Sequence, residues 1–488
     1  MPRGRDRLLL VLVVLGCAGV SLAVTDLHRY LAYDEAIYLS QVYPGPALPF
    51  TAPRARGLPV LLAPLGWLDA PLPVIRGYLL IVNAGLMYLG FGAWLPVLGR
   101  RAALAAAVFG LGWLPLFYGT EVFPNLPVAF GAVASAGYLA QSLNTRMVDA
   151  GSADRDSRRP LTACAAAIAL TAVVRPTEAS FVAAGLALAV VSRDRLELAR
   201  RWGALAGGLL LGWLPWLIEA QLRFGGPLAR FRAASANVGG GFHPGNLSHY
   251  LGFTDGPVSG AVRGGIPRLG ELWWLILLVA VLVLLVRRLA GRRDAGMIAA
   301  IAGLASGAQY LFTPVLEARF LLPAYALLTV ALIAAVPVLR RPQSAGIAVV
   351  TGLAVLAAFT GFAVFTGWQL GVARRIEAGQ VQSRLLTARL TAVIQRQGPP
   401  PCFVASDVAF PVIAFEAGCR GVIFRPDRTT SGLPTNPPAY VLTRSDPART
   451  RIRPTPGSVS SLAADGAPGW WLFTAAVPGI SPSTKSKP

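Results

Sequence analysis

Near-continuous apolar stretches fill most of the first three quarters of the chain, and short polar turns rich in arginine separate them. The first stretch, Leu8 to Val24, is long enough to cross a bilayer, and comparable runs recur up to residue 366. Residues 102–143 predict two spans turning at Thr120-Glu121-Val122-Phe123-Pro124-Asn125. Residues 161–192 are interrupted by Arg175-Pro176-Thr177-Glu178 and predict two short helices, because proline cannot donate the hydrogen bond that would carry one helix through. Residues 203–287 read as two spans joined by a loop over about 221–268, and residues 296–339 as two spans turning at Pro314 to Arg319. A last span is expected over about 345–366. Residues 25–73 stay on the far side of the first span. They hold an amphipathic helix around Asp34 to Val42 and a proline-punctuated apolar piece, Leu58 to Leu68, suited to lying along the membrane surface.

Arginine placement orients these spans. Basic clusters fall at Arg3/Arg5/Arg7, Arg100/Arg101, Arg146 through Arg159, Arg193 through Arg201, Arg287 through Arg293, and Arg340/Arg341. The positive-inside rule puts all of them in the cytoplasm, so the chain crosses an even number of times between consecutive clusters. The result is about eleven spans, a cytoplasmic N-terminus and an extracytoplasmic C-terminus. Ser21-Leu22-Ala23 would pass for a signal-peptide cleavage site, but a run long enough to span favours an uncleaved anchor.

Composition agrees: 54% of residues are hydrophobic, 14% are charged and the mean hydropathy is +0.56. The net charge of +21 would suggest a nucleic-acid partner, but the arginines sit in loops where topology requires them, so no nucleic acid is expected. The last ~120 residues are more polar and contain no span. There a helix over 367–398 precedes strand-like Cys402 to Ala405, then Asp407 and a helix to Ala417. Further strands are expected at Gly421 to Phe424, Ala439 to Thr443 and Trp470 to Phe473. The fold class is therefore an all-α polytopic membrane protein with a small C-terminal extracytoplasmic α/β domain. Its divisions are residues 1–366, 367–474 and a disordered tail, 475–488. Cys17 and Cys164 lie in apolar runs as packing residues. Cys402 and Cys419 would be bonded if the tail faces an oxidising compartment and free otherwise.

Charges on the extracytoplasmic side carry the chemistry. The turns there hold Asp34, Glu35, Arg54, Arg56, Glu121, Arg175, Glu178, Glu317 and Arg319. Each is costly at a membrane border unless paired or functional. Ion pairs tying helix ends together are one explanation. The other is a shared extracytoplasmic pocket, in which carboxylates serve a hydroxyl nucleophile and arginines a phosphate leaving group. His28, His243 and His249 are too scattered for a metal site, and Asn246-Leu247-Ser248 is an accidental sequon.

The acidic pair in Tyr33-Asp34-Glu35-Ala36-Ile37-Tyr38, the later Glu317-Ala318-Arg319-Phe320-Leu321-Leu322-Pro323, and the topology together resemble the GT-C glycosyltransferases. The protein mannosyltransferase and lipid A aminoarabinose transferase branch looks nearest. The resemblance covers roughly residues 5–370. It implies a polyprenyl-phosphate sugar donor, an envelope glycan, lipid or protein acceptor, and a multi-pass place in the cell membrane among its lipids. It also implies Asp34 as catalytic base, Glu35 as the second member of the acidic pair and Arg319 near the lipid phosphate. A second acidic residue is expected in the next external turn, where this chain offers Glu121 and then Asn125. Glu35 stays open between orienting an acceptor hydroxyl and contributing to a divalent-cation site. No cofactor is otherwise implied. The competing readings are a lipid-linked sugar flippase, which calls for mid-membrane charges and repeated halves, and a non-catalytic envelope scaffold.

Overall fold

The protein's structure is a computed structural model that describes residues 4–29, 31–144, 153–190, 194–238, 241–244, 269–290, 294–312, 317–336, 345–398, 400–406, 410–423, 439–444, 458–463, 465 and 467–474. Arg3, Arg146, Arg193, Arg293, Arg340, Arg341, Asn246, His249, Pro314, Asp407, Phe424 and the segment 475–488 lie outside the described residues. In chain order the helices are α1 (Gly4–Val24), α2 (Tyr33–Leu39), α3 (Gly57–Trp67), α4 (Leu72–Gly92), α5 (Leu95–Leu98), α6 (Arg101–Gly110), α7 (Trp113–Tyr118), α8 (Asn125–Asn144) and α9 (Ala153–Val174). They continue as α10 (Pro176–Ala189), α11 (Arg195–Phe224), α12 (Pro227–Val238), α13 (Leu269–Leu289), α14 (Gly296–Ala308), α15 (Leu322–Ala335), α16 (Ala345–Gln397) and α17 (Phe410–Glu416). Five strands follow: β1 (Phe403–Ser406), β2 (Arg420–Ile423), β3 (Ala439–Thr443), β4 (Ser460–Ser461) and β5 (Trp471–Thr474). The chain divides into two compact units. The first is 1–27, 51–58 and 72–377; the second is 28–50, 59–71 and 378–488.

The first unit is helical. Among the described residues, five helical segments are long and apolar enough to cross a membrane: Gly4–Val24, Leu72–Gly92, Asn125–Leu143, Arg195–Phe224 and Ala318–Ala335. Gly57–Trp67, Arg101–Gly110 and Gly296–Phe312 are apolar but shorter. The break expected at Arg175-Pro176 is present, with α9 ending at Val174 and Pro176 opening α10. α11 begins on Asp194, whose carboxylate accepts from the Leu196 and Glu197 amides at 3.0 and 3.3 Å, and stops at Gly225 in the left-handed region (φ 78°). Where one span was expected to begin at residue 102, α6 and α7 are two short helices. Gly112 is extended between them, and the amide of Trp113 donates to Gln369 Oε1 at 3.0 Å. That amide, freed from its helix, is satisfied by a side chain, as an apolar setting demands.

Small residues bring the helices together. A Cβ on Gly208 would fall 2.4 Å from the Ala165 carbonyl oxygen, and one on Gly212 would fall 2.3 Å from that of Ala169. α11 therefore lies backbone-to-backbone on α9, the small-xxx-small arrangement by which helices associate in lipid.

The second unit holds the sheet, ordered β2-β1-β3-β5-β4. β1 is parallel to both β2 and β3, while β5 runs antiparallel to β3 and β4. The expected strands are present within a residue or so; the two-residue β4 was not anticipated. β3 is buried at every position. Cys402 and Cys419 are disulfide-bonded and join the entry of β1 to that of β2. Cys17 and Cys164 are free and buried. The segment carrying α2 belongs to this unit. Tyr33 meets Phe410 edge-on at 5.6 Å and Tyr43 meets Phe415 at 6.0 Å, so the segment packs on α17. α3 joins it where Gly66 lies against Val42, whose carbonyl oxygen would be 2.6 Å from a Cβ there.

Candidate functional site

In the first unit, the charges of the turns singled out in the sequence collect into linked clusters. Arg175 precedes a proline, which biases it to extended backbone, and it sits as the N-cap of α10 (φ −148°). Its guanidinium reaches forward one turn to Glu178 at 2.9 Å. Glu178 is fully buried, and the hydroxyl of Tyr310 donates to the same carboxylate oxygen, Oε1. The Tyr310 ring stacks on Phe320 with centroids 5.4 Å apart and planes 9° from parallel. Phe320 in turn lies under two cations, Arg175 at 5.2 Å and Arg319 at 5.3 Å from its centroid. Such contacts give about 0.5–2 kcal/mol each, the more so when desolvated.

Arg319 extends the cluster. It comes from a single 3-10 turn, Ala318–Leu321, lies 4.2 Å over the Phe123 ring and pairs loosely with Glu317 at 3.5 Å. Phe123 also meets Tyr118 edge-on, and its amide donates to the Glu121 carbonyl at 2.8 Å. Glu121 is buried, with Arg76 of α4 3.5 Å away; Arg76 also donates to the Thr120 carbonyl at 3.2 Å. Asn125, the first residue of α8, is 1% exposed, and neither atom of its amide has a hydrogen-bond partner among the described residues.

Arg54 and Arg56 belong to a second cluster, organised around Glu219 near the end of α11. Arg56 Nε lies 2.8 Å from Glu219 Oε1, Arg230 of α12 lies 2.9 Å from Oε2, and Arg223 is 3.8 Å away. Arg230 is fully buried, donating to the carbonyls of Ala52, Trp216 and Arg54 at 3.1, 2.9 and 2.8 Å. It is clasped by the Trp216 and Phe224 rings at 4.4 and 4.8 Å. Burial pulls this guanidinium below its usual pKa, and Glu219 opposes the shift. The two clusters adjoin. A Cβ on Gly57 would fall 2.6 Å from the Val173 carbonyl oxygen, so only glycine lets the strip carrying Arg54 and Arg56 seat against the residues just before Arg175. Across both clusters, among the described residues, seven arginines (54, 56, 76, 175, 223, 230, 319) face four carboxylates (121, 178, 219, 317), an excess of positive charge suited to an anion.

The acidic pair lies in the second unit, in the first turn of α2, where exposed helix amides favour negative charge. Its members differ. Glu35 is fully buried and accepts from the Ala32 amide at 2.8 Å, so it caps its own helix. Asp34 is only half-buried. Among the described residues, no group of three or more His, Cys, Asp or Glu side chains is assembled to hold a metal ion.

Of the residues singled out in the sequence, Arg175, Glu178, Glu317 and Arg319 come together, Arg54 and Arg56 come together, and Glu121 pairs with Arg76 instead of standing at a surface. Asp34 and Glu35 share one short helix. Tyr310, Phe320, Phe123, Arg76, Glu219 and Arg230 were not anticipated as partners. Glu219 and Arg76 could have been noticed as charges inside apolar runs; the aromatic residues carry no local signal.

No protein-family model matches the sequence, and no curated protein sequence matches it. The architecture, several helices long and apolar enough to cross a membrane followed by a small C-terminal sheet, is that of a polytopic membrane protein. The chain is similar in structure to ArnT from Cupriavidus metallidurans bound to undecaprenyl phosphate, with a TM-score of 0.64 and 15% identity over 96% of this chain and 98% of that one. The apo state of ArnT gives 0.61 at 14% identity, over 89% and 92%. Archaeal oligosaccharyltransferase AglB from Archaeoglobus fulgidus, in complex with an inhibitory peptide and a dolichol-phosphate, gives 0.52 at 14% identity, over 84% of this chain and 64% of that one. At these identities the likeness defines the fold.

Proposed function

We propose that the protein is a membrane glycosyltransferase that moves a sugar from a polyprenyl-phosphate donor to an extracytoplasmic acceptor. The observation that carries the proposal is the end-to-end likeness to a protein bound to undecaprenyl phosphate. The excess of arginine in the first unit supports it. Asp34 is the general base. It takes the proton of the acceptor hydroxyl as that oxygen bonds to C1 of the sugar, while the C1–O bond to the lipid phosphate breaks and the phosphate leaves with the electron pair. Attack opposite the leaving group inverts the anomeric centre. Base assistance of this kind contributes about 10²–10⁴-fold.

The phosphate needs no protonation if its charge is met by guanidinium groups, which offer paired donors to its oxygens. Arg175 and Arg319 fit that role best, since aromatic rings fix both, and Arg54 and Arg56 add positive charge next to them. Glu121, Glu178 and Glu317 act in this reading by holding arginines, and Glu35 by holding α2. The acceptor is an envelope glycan, lipid or protein. The test is binding by purified protein in nanodiscs. Undecaprenyl phosphate is expected to bind on the order of 10²-fold more tightly than undecaprenol, the gain of a few charge-assisted hydrogen bonds. Equal binding of the two would remove the arginines from donor recognition.

A further inference from the structure

We infer that Glu178 and Tyr310 are positioning residues that act on the donor phosphate through Arg175, an inference that rests on the reading above. Glu178 is fully buried, so it cannot itself meet a lipid headgroup. Its Oε1 receives both Arg175 Nη1, at 2.9 Å, and the Tyr310 hydroxyl; Oε2 has no hydrogen-bond partner among the described residues. The carboxylate is thus committed to one task, joining a phenol to a guanidinium. Arg175 is the member of the three with substantial exposure, 28% of its side chain.

The same assembly holds Arg175 by a second contact. Its guanidinium carbon lies 5.2 Å over the Phe320 ring, and that ring is stacked face-to-face on Tyr310. Tyr310 therefore holds Arg175 twice, through its hydroxyl by way of Glu178 and through its ring by way of Phe320. Residues 175, 178, 310 and 320 come from the start of α10, the 3-10 turn Gln309–Phe312 and the turn Ala318–Leu321, so the lock ties three chain segments to one cation. A long side chain held by two such contacts loses little further entropy when it binds an anion, which is the advantage of a preorganised donor.

A double-mutant cycle separates positioning from independent contact. Undecaprenyl phosphate binding in nanodiscs is measured for wild type, Arg175→Ala, Tyr310→Phe and the double variant. The midpoint of thermal unfolding confirms that each is folded. Tyr310→Phe keeps the ring stack and removes only the hydroxyl; Glu178→Gln runs through the same cycle as a second probe. Arg175→Ala is expected to weaken binding on the order of 30-fold and Tyr310→Phe about fivefold. In the Arg175→Ala background, Tyr310→Phe and Glu178→Gln should change binding by less than about twofold. If their losses persist undiminished there, they do not act through Arg175 and the inference falls while phosphate recognition stands. If Arg175→Ala binds like wild type, the inference falls and the remaining arginines carry recognition. If wild type does not prefer undecaprenyl phosphate to undecaprenol, the functional reading fails first and the inference with it.

Discussion

Replacing Arg230 should destabilise the protein more than replacing any other arginine of its cluster. The side chain is fully buried, and its donors are spent on Glu219 and on the carbonyls of Ala52, Arg54 and Trp216. Arg230→Met keeps most of the aliphatic volume and removes every donor. Truncating one partner of a buried ion pair costs about 3–5 kcal/mol, because the other charge is left behind. Here Glu219 retains Arg56 at 2.8 Å, which moves the ion-pair share toward the lower end of that range. Three carbonyls lose a donor, and each adds up to about 1–3 kcal/mol if nothing replaces it. The expected loss is about 4 kcal/mol, with Arg230→Lys intermediate because an ammonium cannot reproduce the planar fork. Arg223→Ala is the control: its side chain is 64% exposed and 3.8 Å from Glu219, so its removal should change stability by about 0.5 kcal/mol or less. Unfolding in mixed micelles, followed by tryptophan fluorescence, measures all three. If Arg230→Met is no less stable than wild type, or if Arg223→Ala matches it, the clasp does not hold the 51–56 strip to α11 and α12.

Two further outcomes follow from packing and burial. Gly208→Ala and Gly212→Ala should each cost about 1–3 kcal/mol by forcing α11 off α9, whereas Gly207→Ala, with open space around its Cβ, should be neutral or gain up to about 1 kcal/mol from helix propensity; thermal midpoints in one detergent rank the three. Asn125→Leu removes a buried amide without hydrogen-bond partners among the described residues and should raise stability by about 1 kcal/mol. If the amide serves substrate, the same variant loses transfer activity while its melting point rises, and a fall in both would show that a partner had been present.

What could be read from the sequence was whatever short-range rules determine. Pro176 breaks the 161–192 stretch because it lacks an N–H, and the strands of the C-terminal domain follow from local composition and turns. The arginines and carboxylates of the turns between apolar runs were recognisable as costly. Their partners were not, since Arg56 meets Glu219 across 163 residues and Glu178 meets Tyr310 across 132. Tyr310 reads as one more apolar residue in a membrane run, and only the fold turns its hydroxyl onto a buried carboxylate. The grouping of α2 with the C-terminal sheet was equally invisible, because it depends on Tyr33 and Tyr43 finding Phe410 and Phe415 nearly four hundred residues later.

Sugar transfer with Asp34 as base is tested most directly by comparing Asp34→Asn with wild type in nanodiscs charged with a polyprenyl-phosphate sugar. Release of lipid phosphate and binding of undecaprenyl phosphate are measured side by side. The account predicts that turnover falls about 10²–10⁴-fold while undecaprenyl phosphate binds as tightly as before. Turnover at the wild-type rate would contradict it.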